Sequence, residues 1–291
     1  LHTNAAGPYG IGHTRWAGWP MQNGILENDW TLRGERPKAG VPCRGKTDTE
    51  MFPRMTRPHP QTAPRRTSRL ERFRNCHQGE TLVLVCNGPS LNKTDFSLIR
   101  RQTCMGLNKI HLGLKRFAFQ PRYFVAINER VLRQSAKEIR SLNSIRFIKD
   151  IGEGNPIPES ALTYHIRPRS EARFHTDLTR GFHEGYTVTY AALQIAYFMG
   201  FEKVVIVGMD HRYSYQGAPN EVCELKGPDT NHFDPTYFSG HTWNNPDLAS
   251  SERFYVLARE AFEADGRRIL DCTVDGACTV FEKGRLEEAL R

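Results

Sequence analysis

The 291-residue chain is long enough for one large domain or two small ones. Its hydrophobic fraction of 38% and mean hydropathy of −0.57 are ordinary for a globular protein, and no apolar run approaches the roughly 18 residues that a membrane span needs. Residues 1–77 carry 13 Lys and Arg against 6 Asp and Glu, whereas the remainder carries 27 against 26. The remainder is therefore nearly neutral, which argues against a nucleic-acid partner, because binding to a phosphate backbone needs a basic face.

The cysteines and the N-terminus predict a cytoplasmic protein. Seven cysteines occur without a Cys-x-x-Cys pair or a regular spacing, and the chain does not begin with a basic segment followed by an apolar one. We therefore expect reduced thiols rather than a disulfide or zinc framework.

Residues 1–68 predict an irregular, basic N-terminal arm, with 8 of the 17 prolines and no sustained periodicity. Such an arm could wrap the body, form a homo-oligomer, contact an anionic membrane surface from the cytoplasmic side, or be a solvated leader. Its stretch GIGHTRWAGW (10–19) resembles the His-Thr-Arg-Trp motif of class II glutamine amidotransferases. Those enzymes need an upstream Cys nucleophile, and no Cys precedes Cys43, so we expect no such chemistry.

From residue 69 onward the pattern predicts an α/β domain, 69–291. Apolar runs predict strands at 81–86, 123–127, 146–149, 203–208 and 268–272, and apolar residues at helical spacing predict helices within 187–200 and 246–266. Alternation of strands and helices favours a Rossmann-like, mostly parallel sheet with helices on both faces. Ligands of such sheets bind beyond the carboxyl ends of the strands.

The first predicted strand ends in Asn87-Gly88-Pro89-Ser90. Gly88 allows a close approach of the backbone to a ligand, Pro89 stiffens the turn, and Asn87 offers an amide. Neither the P-loop nor the G-x-G-x-x-G pattern occurs here, so the common nucleotide fingerprints do not apply. A plain connection between a strand and a helix has the same composition and stays open as an alternative.

Polar residues follow other apolar segments too. Asn108 follows a short apolar piece, Asn128 and Asp210 follow predicted strands, and Tyr213 and Tyr215 come soon after Asp210. Amides at such positions suit a base, a ribose or a sugar, while tyrosine hydroxyls donate to phosphate. The sequence therefore predicts a ligand site at this edge of the sheet.

The stretch 229–247, DTNHFDPTYFSGHTWNNPD, is long for a connection without regular structure, which is typical of a lid or binding loop. Asp229, His232, Asp234 and His241 within it allow three interpretations. In the first, the four residues form a metal cluster, although their spacing matches no common pattern. In the second, one histidine is a general base. In the third, both histidines make structural hydrogen bonds.

With these residues in view, about 70–285 of the chain resembles two related groups. They are the bacterial sialyltransferases of glycosyltransferase family 42 and the MptE-like group, named after an archaeal 6-hydroxymethylpterin diphosphokinase. The resemblance rests on CNGPSL, on GFEKVVIVGMD after an Ala-rich helix, and on FSGHTWNNPD before a helix, in that order. HFDPTYF and GYTVTYAALQIAYFMGF are more similar to the bacterial MptE-like branch, which often accompanies surface-polysaccharide genes.

The resemblance implies a GT-A-variant fold with a site for a CMP-sugar and a lid at about 211–242. The implied donor-binding residues are Asn87, Gly88, Pro89, Ser90, Asn108, Asn128, Thr187, Thr189 and Asp210. Tyr213 and Tyr215 match a tyrosine pair that bonds the leaving phosphate, and His241 falls on the catalytic base. The family's Arg ahead of the threonine segment is Gly185 here, which is a departure from the pattern.

These implications give a leading prediction and two alternatives. The leading one is a metal-independent, inverting sialyltransferase-like enzyme without a cofactor, acting on a surface-glycan or lipid-linked acceptor. The absence of Asp-x-Asp from the sequence agrees with it, since GT-A enzymes that use nucleotide diphosphates usually need that motif. The first alternative is a diphosphokinase that moves pyrophosphate from ATP to 6-hydroxymethylpterin, with Mg²⁺ held mostly by phosphates and water. The second is a non-catalytic nucleotide- or sugar-binding protein.

Overall fold

The computed structural model describes residues 68–291, all of which belong to one unit, Thr62–Arg291. The predicted arm, with its GIGHTRWAGW stretch, lies outside the described residues except for Ser68. The extent of the arm therefore stays a prediction.

The described residues form ten strands. They are β1 Thr81–Val85, β2 Thr103–Leu107, β3 Tyr123–Ala126, β4 Ile145–Lys149, β5 Thr163–Ile166, β6 Lys203–Val207, β7 Val222–Glu224, β8 Thr242–Asn244, β9 Arg268–Asp271 and β10 Glu282–Lys283. Eight of them form one sheet in the order β10-β9-β6-β1-β2-β3-β4-β5, and every pairing in it is parallel. Strands β7 and β8 form a separate antiparallel pair. The prediction of a Rossmann-like, mostly parallel sheet is confirmed.

Seven α-helices and four 3-10 helices accompany these strands. The α-helices are α1 Phe96–Ile99, α2 Leu114–Phe117, α3 Glu129–Gln134, α4 Ala136–Ser141, α5 Val188–Met199, α6 Leu248–Ala264 and α7 Leu286–Ala289. The 3-10 helices are Arg69–Phe73, Pro89–Lys93, Ile110–Gly113 and Leu178–Arg180. The predicted helices within 187–200 and 246–266 are α5 and α6.

Helices cover both faces of the sheet, and β1 shows why. Its side chains alternate, so that Leu82 and Leu84 belong to a core shared with α5 and α6, while Val83 and Val85 belong to a core shared with α1, α3 and α4. All four side chains are fully buried. Burial on both faces explains the continuous apolar run, which is typical of a central parallel strand.

Local signals set the ends of the two long helices. The hydroxyl of Thr187 accepts a hydrogen bond from the Thr189 N–H at the start of α5, and Gly200, at φ +89°, ends it. The carboxylate of Asp247 accepts the Ser250 N–H at the start of α6. None of the helices in the described part of the chain is long and apolar enough to cross a membrane.

The connection from β6 to α6, residues 208–247, contains the β7–β8 hairpin and is called the β6–α6 segment below. Phe233, Tyr237, Phe238 and Trp243 of this segment are buried against the α1–α3 face of the sheet. The segment includes the predicted lid, 211–242, but its opening and closing stays a prediction.

Candidate functional site

Two adjoining cavities, of about 120 and 300 Å³, lie beyond the carboxyl ends of β1, β2, β3 and β6 and are called the inner and outer cavity of the cleft. The chain adds strands outward from β1 to β5 and then returns to place β6 on the other side of β1. Open parallel sheets bind ligands at such a reversal of strand order. Residues that line both cavities include Asn108, Tyr186, Thr187, Tyr213, His232 and Tyr237.

The Asn-Gly-Pro-Ser turn after β1 is fixed by Asp210 rather than by a ligand. The Asp210 carboxylate accepts the Ser90 N–H at 3.0 Å and the Ser90 hydroxyl at 2.6 Å. A Cβ on Gly88 would lie 1.9 Å from the Asp210 Oδ2 and 2.8 Å from the Gly208 carbonyl oxygen, so only glycine fits. Asp210, Ser90 and Pro89 therefore shape the turn, while Gly88 lines the inner cavity.

Asn87 and Asn108 line the inner cavity. Asn87 is 8% exposed, and Oδ1 of each residue is buried without a hydrogen-bond partner in the described part of the chain. Asn108 also adopts a left-handed backbone with φ +46°. A buried polar atom without a partner costs about 1–3 kcal/mol, so two of them on residues that line one cavity are unusual in a structure without ligand.

Asn128 lines the outer cavity, but its amide oxygen is already engaged. Asn128 Oδ1 accepts the N–H groups of Arg130 at 2.9 Å and Val131 at 3.3 Å, which caps α3. The amide NH₂ of Asn128 is the group that remains for a ligand.

The N-terminus of α5 faces the inner cavity, which Thr187, Val188 and Thr189 line. The helix dipole makes this end attractive to anions, and the Thr187 hydroxyl already accepts the Thr189 N–H there. The hydroxyl of Thr187 also lies 3.3 Å from the Tyr255 hydroxyl. At Gly185 an added Cβ would lie 2.2 Å from the Tyr190 ring, so the arginine of the sialyltransferase pattern has no room here.

Asp229 and His232 form a buried acid–imidazole pair at the wall of the cleft. Oδ2 of Asp229 lies 2.8 Å from Nδ1 of His232, and the side chains are 1% and 10% exposed. Burial opposes ionisation of Asp229, but the hydrogen bond from His232, the charge that His232 carries when it is protonated, and the Asn231 N–H outweigh it, and the pKa of Asp229 lies below its ordinary value. When His232 is neutral, the ionised carboxylate favours the tautomer with the proton on Nδ1, which leaves the lone pair on Nε2.

Packing fixes the His232 ring. It stacks on Tyr237 with 3.9 Å between ring centroids and an interplanar angle of 3°. Lys109 holds Tyr237 twice, since its ammonium donates to the Tyr237 carbonyl at 2.6 Å and its N–H donates to the Tyr237 hydroxyl at 3.2 Å. Burial lowers the pKa of Lys109 to about 8, with Asp229 opposing the shift. The hydrogen bond to Asp229 and the stacking on Tyr237 therefore fix the orientation of the imidazole together.

The residues that the resemblance assigned to catalysis are not all at the cleft. Tyr213 lines both cavities, and burial of its hydroxyl raises its pKa above the usual range, although 37% of the residue is exposed. Tyr215 instead donates its hydroxyl to the Pro246 carbonyl at 3.2 Å. His241 is exposed and lines neither cavity.

The four residues Asp229, His232, Asp234 and His241 do not converge. Asp229 contacts His232, whereas the Asp234 carboxylate accepts the Thr236 N–H at 2.9 Å and hydroxyl at 2.6 Å. Across residues 68–291 no group of three or more His, Cys, Asp or Glu side chains is arranged to hold a metal ion.

No family model and no curated protein matches the chain. Among solved structures, the chain is similar to the MAf glycosyltransferase from Magnetospirillum magneticum AMB-1, with 12% sequence identity and a TM-score of 0.45. The likeness covers 75% of this chain and 37% of that protein. The chain thus spans little more than a third of that protein, and a likeness of this degree says nothing of activity.

Proposed function

We propose that the chain is a metal-independent, inverting glycosyltransferase that uses a CMP-activated sugar. One observation carries this proposal: His232, which is paired with Asp229, the residues Asn87 and Asn108, whose amide oxygens lack partners in the described part of the chain, and the N-terminus of α5 all line one cleft. Each group matches one part of such a reaction. His232 is a base for the hydroxyl of the acceptor substrate, the amide oxygens can accept hydrogen bonds from the CMP-sugar, and the helix N-terminus is a site for the phosphate of the CMP-sugar.

The donor would bind with its phosphate at the N-terminus of α5. A CMP-sugar carries a single phosphate, so the helix end and the Tyr213 hydroxyl can stabilise the departing CMP without a metal. The amide oxygens of Asn87 and Asn108 then accept hydrogen bonds from sugar hydroxyls or from the cytosine amino group.

His232 would act as the general base. Its Nε2 takes the proton of the acceptor hydroxyl while the acceptor oxygen attacks the anomeric carbon on the face opposite the phosphate. The bond from the anomeric carbon to the phosphate oxygen breaks, and CMP leaves with the electron pair. Asp229 stabilises the imidazolium that forms, as a carboxylate does in a serine-hydrolase triad.

This proposal moves the base from His241 to His232. It does so because His232 lies at the cleft with an ionised partner, whereas His241 is exposed. The acceptor belongs to the proposal as a surface glycan or a lipid-linked saccharide. So does a cytoplasmic location in which the basic arm brings the enzyme to anionic lipid.

Thermal unfolding with CMP, CDP, UDP, GDP, ADP and ATP, each with and without Mg²⁺, tests the proposal. CMP at 100 times its Kd adds about 2.7 kcal/mol to the free energy of unfolding. We expect stabilisation by CMP without Mg²⁺, followed by release of CMP from CMP-sugars in the presence of an acceptor. Stabilisation by ATP only with Mg²⁺ would favour the diphosphokinase, and CMP binding without turnover of any donor would favour a non-catalytic binding protein.

A further inference from the structure

A groove of about 420 Å³ lies beside α6 and adjoins the cleft. Tyr186 lines the groove and both cavities of the cleft, so the three spaces border one another at this residue. The lining of the groove combines apolar with polar side chains and includes Phe254, Leu257, Ser170, His183, Ser250 and Arg253. None of these six residues lines the cleft.

Tyr186 has a left-handed backbone conformation, which is unfavourable for a bulky aromatic residue. Its φ is +62°, directly after Gly185 at φ +58°, and the residue is 56% exposed. The Tyr186 hydroxyl makes no hydrogen bond to residues 68–291. A left-handed conformation costs a bulky residue about 1–3 kcal/mol and is typical of positions that bind ligands. The strain presents the ring at the boundary between cleft and groove.

The aromatic rings of the groove form flat surfaces that suit a sugar ring. His183 stacks on Phe254 with 4.6 Å between centroids and an angle of 22°, and the Tyr186 ring lies 5.9 Å from Phe254. Burial lowers the pKa of His183, which keeps this imidazole uncharged at neutral pH. A pyranose has a face of C–H groups, which the negative face of an aromatic ring attracts, and an edge of hydroxyls, which polar groups bind.

Arg253 adds an unpaired positive charge to the groove lining. The residue is exposed, and its guanidinium forms no ion pair with a carboxylate in the described part of the chain. Its one side-chain hydrogen bond there is to the Ser250 hydroxyl at 3.4 Å. A guanidinium in this state can bind a carboxylate or a phosphate with two parallel hydrogen bonds.

We propose that this groove is the acceptor subsite and that the acceptor ends in a pyranose bearing an anionic group. The pyranose would stack on Tyr186, its anionic group would meet Arg253, and a free hydroxyl would point through the boundary toward Nε2 of His232. That the bound sugar is the acceptor depends on the proposed glycosyl transfer. The binding of an acidic sugar in the groove can be measured independently of that reaction.

Saturation-transfer NMR with methyl glucuronide, glucose 6-phosphate and methyl glucoside tests the subsite, with and without CMP. We expect both anionic sugars to bind about fivefold more tightly than methyl glucoside, as one charge-assisted contact of about 1 kcal/mol gives. Arg253→Gln should abolish this preference and leave the CMP-induced rise in Tm unchanged. Arg101→Gln, at an exposed arginine outside the groove, is the matched control and should keep the preference.

Tyr186→Asn tests the stacking contact, because asparagine tolerates the left-handed backbone but lacks the ring. It should weaken all three sugars about fivefold, whereas Tyr186→Phe should bind them as the wild type does. Equal binding of neutral and anionic sugars, or an unchanged affinity in Tyr186→Asn, would overturn the proposal. Saturation transfer to a Gly-Ser-Thr-Gly peptide but to none of the sugars would overturn it in favour of a protein acceptor. Failure of CMP to raise the Tm would instead count against the proposed donor alone.

Discussion

Oδ2 of Asp229 lies 2.8 Å from Nδ1 of His232, and the contact joins two residues three positions apart in the β6–α6 segment. The Asp229 side chain is fully enclosed, and the ring of His232 is fixed by stacking on Tyr237. A buried carboxylate that is paired in this way contributes to stability as well as to the orientation of the imidazole.

Asp229→Asn should therefore change the dependence of stability on pH. The pKa of Asp229 is lowered by folding, so its contribution is present above the unfolded pKa of about 3.9 and is lost as the pH falls through the folded pKa. We expect the variant to be about 1–3 kcal/mol less stable than the wild type at pH 6, and the difference to shrink below pH 4. Urea unfolding from pH 3 to 7 measures it, and a difference that stays constant over this range would contradict the assignment.

Lys109→Met should reveal a titration in the alkaline range. The pKa of Lys109 is about 8 in the folded chain and about 10.4 in the unfolded chain. Between about pH 8 and 10.4 the unfolded chain therefore binds more protons than the folded chain does. The contribution of Lys109 to the free energy of unfolding rises with pH over this range. We expect the free energy of unfolding of the wild type, relative to Lys109→Met, to rise between pH 7.5 and 10. The comparison with Lys115→Met, at an exposed lysine, should be flat over the same range. A flat result for both lysines would mean that Lys109 is not desolvated.

Gly88→Ala should damage the turn after β1. The new Cβ would lie 1.9 Å from the Asp210 Oδ2, and Asp210 cannot retreat without losing its bonds to Ser90. We expect a loss of about 1–3 kcal/mol in the free energy of unfolding and a smaller CMP-induced rise in Tm. Gly227→Ala is the control, because no atom lies within 4 Å of its added Cβ. Equal stability of the two variants would show that the turn has room for a side chain.

Asn87→Ala and Asn128→Ala should separate binding from stability. Asn87 has a buried oxygen without a partner, so its removal should leave the stability of the free protein unchanged or higher and abolish stabilisation by CMP. Asn128 caps α3, so its removal should cost about 1 kcal/mol. Thermal unfolding of both variants with and without CMP measures the contrast. A large loss of stability in Asn87→Ala would show that Asn87 is structural.

Most of the fold could be predicted from the sequence, because central strands and long helices have strong periodic patterns. The predicted runs at 81–86 and 203–208 are β1 and β6 with one residue fewer at each carboxyl end. Strands β2 and β5 of the large sheet were not predicted, and neither were the short strands β7, β8 and β10. The sequences of β2 and β5, TCMGL and TYHI, contain Gly, Cys, Met or His in place of a β-branched run, so these strands depend on pairing with their neighbours in the sheet.

The candidate site could be predicted only in part. The convergence of Asn87 and Asn108 follows from the rule that parallel strands end at one edge of a sheet. The choice between His232 and His241 does not follow from sequence, because both lie in one irregular segment and only its folding decides which one faces the cleft. The three-residue spacing of Asp229 and His232 allows an acid–imidazole pair, but the sequence allowed other Asp–His pairs with Asp234 and His241 in the same stretch. The engagement of Asp210 by Ser90 depends on a contact across 120 positions.

The paired variants His232→Ala and His241→Ala test whether His232 is the base of a glycosyl transfer from a CMP-sugar. Release of CMP from a CMP-sugar in the presence of an acceptor is the activity, and the CMP-induced rise in Tm reports donor binding. We predict that His232→Ala lowers transfer by about 10²–10⁴-fold with the rise in Tm retained, while His241→Ala transfers as the wild type does. Transfer that survives in His232→Ala and is lost in His241→Ala would show that His241, not His232, is the base.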